Sequence, residues 1–166
     1  KHAKKKAKKI FKNLIIRRIK NPYLIYLKKK RKKLKNNKFL IVTNNLDKAK
    51  SEMKEKIGLS DKDFIYKKLK FIKKNYRPNL ITIKVHPSES ILKYKKILEN
   101  KSFSKIKIEK NKSLINILNE NSFLFGCETS LLQISKNFGI KTFNIYLKNK
   151  KARLIPKEYF HKYIYV

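Results

Sequence analysis

His86 and the residues around it are the first candidates for chemistry in this chain. The run Leu80–Val85 is short, apolar and mostly β-branched, which predicts a buried strand. Pro87 lacks a backbone N–H and holds the preceding residue extended, so it ends the strand and leaves His86 at its carboxyl end. Imidazole there could stabilise the charge of a departing phosphate. The alternative is a solvated loop histidine, because a His-Pro dipeptide also occurs by chance.

A second turn further along the chain has the chemistry to bind an anion. Gly126 follows another strand-like run and lets the backbone bend tightly and approach a ligand closely. Thr129 and Ser130 stand where helical spacing begins, so free N–H groups, the helix dipole and two hydroxyls all favour a phosphate. A structural role is equally open, in which Glu128 or Thr129 simply caps the helix.

Strand and helix signals alternate from residue 39 to residue 146 and would position both turns. Such alternation predicts an α/β fold, with a Rossmann-like parallel sheet, right-handed crossovers and flanking helices. The carboxyl ends of parallel strands lie at the same edge of a sheet. His86 and the helix start at Thr129–Ser130 are therefore expected to bind one phosphate between them. Lys84 is a further candidate for that phosphate, although its alternation with Ile83 and Val85 could point it to solvent. The expected strands are 39–43, 80–85, 106–108, 122–126 and 141–146, and the expected helices are 48–57, 60–76, 90–99, 113–120 and 131–138.

The charge of the chain admits two interpretations. Its 166 residues fit one domain, and 46 Lys and Arg against 11 Asp and Glu give a formal net charge of +35. Such a charge favours a nucleic-acid partner whose phosphates the lysines neutralise. Lysine supplies nearly all of it, however, whereas arginine is the residue suited to bidentate recognition of phosphate. The abundance of lysine, isoleucine and asparagine would also follow from a coding sequence rich in A and T.

Several classes of site and segment find no support in the sequence. Cys127 is the single cysteine, so no internal disulfide can form and a reducing compartment is expected. The histidines at 2, 86 and 161 lack the spacing of metal ligands, so we expect no metal and no cofactor. No apolar run reaches the roughly 20 residues of a membrane span. The basic N-terminus lacks the apolar core of a signal peptide, and we expect a cytoplasmic protein.

The ends of the chain differ from its centre. Residues 1–38 are expected to form a basic helical segment, 39–147 the Rossmann-like domain, and 148–166 a C-terminal helix or tail. Residues 28–33 are six basic residues in succession. They fit a solvated helix end or linker, a basic amphipathic helix on the anionic inner face of the cytoplasmic membrane, or contact with an acidic polymer.

The order of the two turns resembles a known family. The strand that ends in Lys84-Val85-His86-Pro87, a helix-rich stretch and Gly126-x-x-Thr129-Ser130-Leu131 are similar to the C-terminal, nucleotide-binding domain of bacterial GT-B sialyltransferases and polysialyltransferases. The resemblance is in particular to glycosyltransferase family 52 and its relatives in capsule and lipooligosaccharide synthesis. The resemblance implies a metal-independent transfer of sialic acid or a similar sugar from a nucleotide sugar, expected to be CMP-linked, to a glycan or lipid-linked acceptor. It makes His86 the catalytic residue, and the implied nucleotide-binding residues are Lys84, His86, Pro87, Gly126, Glu128, Thr129 and Ser130.

Two departures from the family pattern limit what this chain is expected to do alone. Thr129 stands where the family has the first serine of a pair, an exchange that keeps the hydroxyl. The family's acidic catalytic motif belongs to an N-terminal domain, and Asp47, Asp61 and Asp63 do not supply a counterpart. We therefore expect the chain to hold a donor and to need an N-terminal domain or partner chain for the general base.

Two other functions stay open at this point. A lysine-rich nucleic-acid-binding protein would use its charge and its tyrosines for phosphate contact and stacking. A related sheet protein, such as a sugar-nucleotide epimerase or half of a glycerophosphate transferase, would also place histidines and hydroxyls at strand ends.

Overall fold

A computed structural model describes residues 2–12, 15, 21–32, 36–45, 60–99, 105–146 and 155–165. Its strands are β1 (Lys38–Val42), β2 (Leu80–Lys84), β3 (Ile106–Glu109), β4 (Phe123–Gly126), β5 (Lys141–Tyr146) and β6 (Lys162–Tyr165). Its helices are α1 (His2–Ile10), α2 (Pro22–Lys29), α3 (Asp61–Asn75), α4 (Leu92–Glu99), α5 (Leu114–Glu120) and α6 (Ser130–Phe138), with a 3-10 turn at Lys157–Tyr159. The expected helix at 48–57 lies outside the described residues.

The six strands form one parallel sheet, which confirms the predicted α/β, Rossmann-like class. Their order is β3-β2-β1-β4-β5-β6, and every neighbouring pair is parallel. The order reverses direction between β1 and β4, which pair directly through Ile41 and Phe125. In open sheets of this kind, the carboxyl ends of the strands at the reversal border the ligand crevice.

Strand alternation explains the layers on the two faces of the sheet. Successive side chains of a strand point to opposite faces, and Phe39 and Ile41 share a buried cluster with residues of α3 and α4. Leu40 and Val42 instead share a second buried cluster with residues of α2, α5 and α6. The β1 strand is therefore buried on both faces, as its continuous apolar run predicted.

Local signals in the sequence set the ends of several helices as expected. The Ser60 hydroxyl accepts a hydrogen bond from the Asp63 N–H at 3.1 Å and caps α3. Gly139 ends α6 in the left-handed region, with φ of 90°. Arg31 lies against this glycine, and its guanidinium donates to the Gly139 carbonyl at 3.0 Å.

Both ends of the chain take part in the folded unit. Leu27 of α2 is fully buried, so part of the basic segment 1–38 packs on the sheet. The C-terminal residues, which we predicted to be a helix or tail, include a sixth strand instead, because Lys162–Tyr165 pairs in parallel with β5. None of the helices within the described ranges has both the length and the apolar character needed to cross a bilayer.

Candidate functional site at the carboxyl edge of the sheet

The two turns singled out in the sequence lie at the same edge of the sheet. His86 follows β2 and Ser130 follows β4, and both strands pair in parallel with β1, which lies between them. Two strand spacings separate the turns, a distance of roughly 10 Å. The residues after β1 join them, since the Asn45 side-chain amide donates to the Ser88 hydroxyl at 2.6 Å and the Asn44 amide donates to the Cys127 carbonyl.

The His86 turn holds its imidazole in a defined state. The Glu89 N–H donates to the His86 carbonyl at 2.9 Å and closes a turn with Pro87 at its second position. The Ser88 N–H donates to His86 Nδ1 at 3.2 Å, so Nδ1 is an acceptor and the neutral ring carries its hydrogen on Nε2. The ring is exposed, and no described residue bonds to Nε2. His86 therefore has a donor available for an external acceptor.

A buried ionic network lies beneath this turn. Glu89 is only 4% exposed and accepts from the Tyr94 hydroxyl at 2.7 Å, from the Lys93 ammonium at 2.8 Å and from the Thr43 hydroxyl. Lys93 also bonds to the buried Asp61 at 2.8 Å. Thr43 Oγ1 in turn accepts from the His86 N–H at 2.7 Å. The backbone of the histidine is thus tied to Glu89 through one hydroxyl.

Hydrogen bonding decides the charge state of this buried carboxyl group. Burial alone would raise the pKa of Glu89, but hydrogen bonds from Lys93, Thr43 and Tyr94 together lower that pKa below its ordinary value of 4.5. Burial and the adjacent carboxylate raise the pKa of the Tyr94 phenol. Glu89 is therefore ionised and Tyr94 is a neutral donor at physiological pH.

The hydroxyls of Thr129 and Ser130, at the helix start after β4, have different roles. Thr129 is the N-cap of α6, and its hydroxyl accepts from the Leu131 N–H at 3.3 Å. Ser130 is exposed, and its hydroxyl has no hydrogen-bond partner in the described part of the chain. Thr129 therefore has the capping role that the sequence left open, while Ser130 and the N-terminus of α6 are available to an anion.

Gly126 is required for packing beneath the second turn. A Cβ atom at this position would lie 2.7 Å from Thr129 Cγ2 and 3.2 Å from Val42 Cγ2. The absence of a side chain lets Thr129 fold back over the end of β4 and cap α6. Side-chain atoms of Thr129 and Val42 occupy the space beside this glycine. The close approach of a ligand to Gly126 stays a prediction.

Lys84 and Glu128 have partners away from the His86 turn. The Lys84 ammonium donates to the carbonyl oxygens of Lys110 and Lys112, and burial lowers its pKa while Glu109 partly offsets that effect. Glu128 accepts from the Asn144 amide at 2.9 Å and from the Ile155 N–H at 2.7 Å, so it anchors the C-terminal segment. Their predicted contacts with a nucleotide stay predictions.

A different lysine lies at the histidine turn. Lys110 donates from its ammonium to the Glu89 carbonyl at 2.7 Å. It follows β3, so its positive charge is at the same edge of the sheet as His86. Among 46 basic residues, nothing in the sequence distinguishes Lys110 from the others.

Asn44, in the loop after β1, is a polar residue that sequence reasoning did not single out. Its side-chain oxygen is buried and has no hydrogen-bond partner among the described residues. Asn45 and Glu128 on either side of the reversal point have φ of 52° and 47°, a conformation that non-glycine residues adopt at a cost. The unpaired Asn44 oxygen and two residues with left-handed backbone conformation therefore lie at the position where open α/β sheets bind ligands.

Lys68 is a further residue that sequence reasoning missed. It is fully buried, and its ammonium donates to the Val42 carbonyl at 3.0 Å and lies 3.8 Å from the centre of the Phe64 ring. Burial lowers its pKa to about 7, although nearby Cys127 and Asp61 act in the opposite direction. Its helical spacing with Phe64, Ile65, Leu69 and Ile72 was the available signal.

Cys127 has none of the properties of a reactive thiol. It is fully buried, and burial raises its pKa to about 12 even though Lys68 acts to lower it. The thiolate is therefore scarce at neutral pH, and the residue acts as a small apolar side chain at the end of β4.

Two cavities lie away from the candidate site. One of about 280 Å³ is bordered by Asn121, Phe123 and Lys141, and another of about 230 Å³ by Pro78, Ile81 and Ile106. These residues begin strands, so both cavities open at the amino-terminal edge of the sheet. Neither cavity includes His86 or Ser130.

Comparisons with known proteins add no functional assignment. Neither a scan against protein-family models nor a search of curated proteins finds a match. Across the described ranges, no group of three or more His, Cys, Asp or Glu side chains is placed to hold a metal ion. Function is therefore inferred from the edge geometry described above.

Proposed function

We propose that this chain is the donor-binding half of a GT-B glycosyltransferase that moves a sugar from a nucleotide sugar to a surface glycan acceptor. The phosphate of the donor binds between the His86 turn and the start of α6. The observation that carries the proposal is that these two elements follow parallel strands on either side of β1 and share one edge.

The available hydrogen-bond donors support an anionic ligand. His86 offers Nε2–H, Ser130 offers its hydroxyl and its backbone N–H, and the start of α6 adds the positive end of the helix dipole. Lys110 adds a positive charge at the same edge. These groups are fixed by the Glu89 network and by the Thr129 cap, so little reorganisation is needed on binding.

The chemistry assigned to these residues is the stabilisation of a leaving group. When the bond between the anomeric carbon and the phosphate oxygen breaks, its electron pair passes to the phosphate. His86 donates a hydrogen bond to that oxygen, and Ser130 with the helix start holds the remaining phosphate oxygens. A general base from an N-terminal domain or partner chain removes the proton of the acceptor hydroxyl. A cytoplasmic location would give the protein access to nucleotide sugars.

Calorimetric titration with cytidine monophosphate tests this proposal. We expect His86→Ala and Ser130→Ala each to weaken binding about tenfold or more, because each removes a hydrogen bond to a charged group. Neither substitution should affect the weaker binding of cytidine, which lacks the phosphate. His161→Ala is the matched control, since that histidine precedes β6 at the opposite edge of the sheet.

The same titration can reject the assignment. Binding of cytidine monophosphate that is unchanged by both substitutions would remove the two turns from the phosphate site. A lowered affinity in His161→Ala equal to that in His86→Ala would show that loss of stability, and not loss of a contact, weakens binding.

A further inference from the structure

The N-terminal part of the chain exposes apolar side chains beside lysines. Ile10 is 71% exposed, Phe11 is 52% exposed and Ile15 is 89% exposed. In α2, Ile25 is exposed on the side of the helix opposite the buried Leu27, and Tyr26 is exposed between these two residues. Tyr23, one turn before Leu27 on the same side, is also exposed. Leu27 is therefore packed in the fold, while the outer side of α2 presents Ile25 and Tyr26 to the surroundings.

The apolar and basic residues of α1 are segregated along the helix. Ala7, Ile10 and Phe11 have the i, i+3, i+4 spacing of one face. Lys5, Lys6, Lys8 and Lys9 are exposed and occupy the other positions, while Lys4 borders the apolar face beside Phe11. No acidic residue precedes Asp47, so the charge of this segment has no internal counterpart in sequence. An amphipathic helix with a lysine-rich polar face and isoleucine and phenylalanine on the other is typical of interfacial helices.

We propose that α1 and the outer side of α2 form a docking surface for an anionic lipid bilayer. The lysines contact the phosphates of the head groups, and Ile10 and Phe11 insert at the boundary with the acyl chains. This surface is independent of the proposed nucleotide site, since it lies in α1 and α2, with Ile10, Phe11 and Ile15, and none of these residues is at the carboxyl edge of the sheet.

The side-chain chemistry favours lipid over nucleic acid as the partner. Every cation of α1 is a lysine, and arginine is the side chain suited to bidentate phosphate and guanine contacts. Ile10 and Ile15 are aliphatic and offer no stacking surface to bases, unlike the exposed Phe11, Tyr23 and Tyr26, whereas a bilayer buries aliphatic and aromatic side chains alike. Exposed aliphatic residues flanked by lysines therefore have a use at a membrane and none on a phosphate backbone.

A tryptophan reporter tests the insertion directly. The chain contains no tryptophan, so Phe11→Trp and Leu92→Trp each introduce a single fluorophore, and Leu92 on α4 is a matched exposed apolar site at 65% exposure. With vesicles of phosphatidylcholine and phosphatidylglycerol, we expect a blue shift and quenching by brominated lipid for Phe11→Trp only. Vesicles of phosphatidylcholine alone should give neither change.

Vesicle sedimentation separates insertion from simple charge attraction. Ile10→Ser should weaken binding to the anionic vesicles by about tenfold, because one large apolar side chain no longer inserts, whereas Leu92→Ser should leave it unchanged. Equal binding of the original chain and both serine variants would mean attraction by charge alone and would overturn the proposal. It would also be overturned if Phe11→Trp responded to single-stranded DNA and not to anionic vesicles.

Discussion

The two turns at the carboxyl edge are held in different ways. The His86 turn is stabilised by buried charge. Glu89 accepts hydrogen bonds from Thr43, Lys93 and Tyr94. Lys93 also forms an ion pair with Asp61. The start of α6 rests on steric fit and a cap, since Thr129 folds over Gly126 and accepts from the Leu131 N–H. One turn depends on electrostatic pairing and the other on the absence of a side chain.

This difference predicts that the two turns respond to different perturbations. Removing one member of a buried charged network leaves its partners unpaired, which is among the most costly single changes in a protein interior. Adding a methyl group to a filled space costs less, because neighbouring side chains can shift. The His86 turn should therefore be sensitive to pH and charge, and the α6 turn to volume.

Glu89→Ala should have the largest effect on stability. It leaves Lys93, Tyr94 and Thr43 without their shared acceptor, and we expect a loss of about 3–5 kcal/mol in the free energy of unfolding by urea. Glu99→Ala on the exposed end of α4 is the control and should change stability by less than about 0.5 kcal/mol.

The pH dependence of the free energy of unfolding tests the role of the Glu89 carboxylate further. Its pKa is lowered on folding, so its contribution is present above the ordinary value of 4.5 and is lost as pH falls through the folded value. Glu89→Gln should flatten that acid limb. An acid limb identical to that of the original chain would contradict the assignment of Glu89 as the ionised centre of the network.

Lys68→Met should raise stability by about 1–4 kcal/mol at pH 7, because a buried amine is replaced by an apolar side chain of similar volume. The pKa of Lys68 is about 7 in the folded protein and 10.5 ordinarily, so the unfolded chain holds a proton that the folded one lacks between these values. Stability of the original chain should therefore rise with pH across this window, by about 1.4 kcal/mol per unit.

The advantage of Lys68→Met should accordingly shrink as pH rises from 7 to 10.5. Lys70→Met, on the exposed side of α3, should show no such trend in the same denaturation series. A constant difference between Lys68→Met and the original chain over this range would mean that the folded amine keeps its ordinary pKa.

Gly126→Ala should destabilise the α6 turn by about 1–3 kcal/mol, since its Cβ would lie 2.7 Å from Thr129 Cγ2. Thr129→Ser removes that methyl group and keeps the capping hydroxyl, so the double substitution should recover part of the loss in urea denaturation. A Gly126→Ala loss that Thr129→Ser does not reduce would place the clash elsewhere.

Local patterns in the sequence predicted the elements better than the contacts between them. The apolar run before Pro87 and the glycine after Phe138 each specify a strand or helix end through backbone geometry, and both appear as expected. The order β3-β2-β1-β4-β5-β6 depends on which strands meet in space, and no single segment encodes it.

The site residues that sequence reasoning missed are those whose role depends on burial. Lys68 is one of many basic residues, and only its helical spacing with the apolar residues of α3 marks it as a residue of the inner face. In the sequence, Asn44 is indistinguishable from an ordinary loop asparagine. Its contact with the Cys127 carbonyl depends on the pairing of β1 with β4. The strand at Lys162–Tyr165 was too short for its alternation to outweigh a helix or tail.

A double-mutant cycle on cytidine monophosphate binding tests the central claim, that His86 and Ser130 hold one phosphate. Affinities are measured for the original chain, His86→Ala, Ser130→Ala and the double variant. Residues that share a ligand group should show a coupling energy of about 0.5–3 kcal/mol. Effects that add to within about 0.3 kcal/mol would contradict the account, because the two side chains would then act at independent sites.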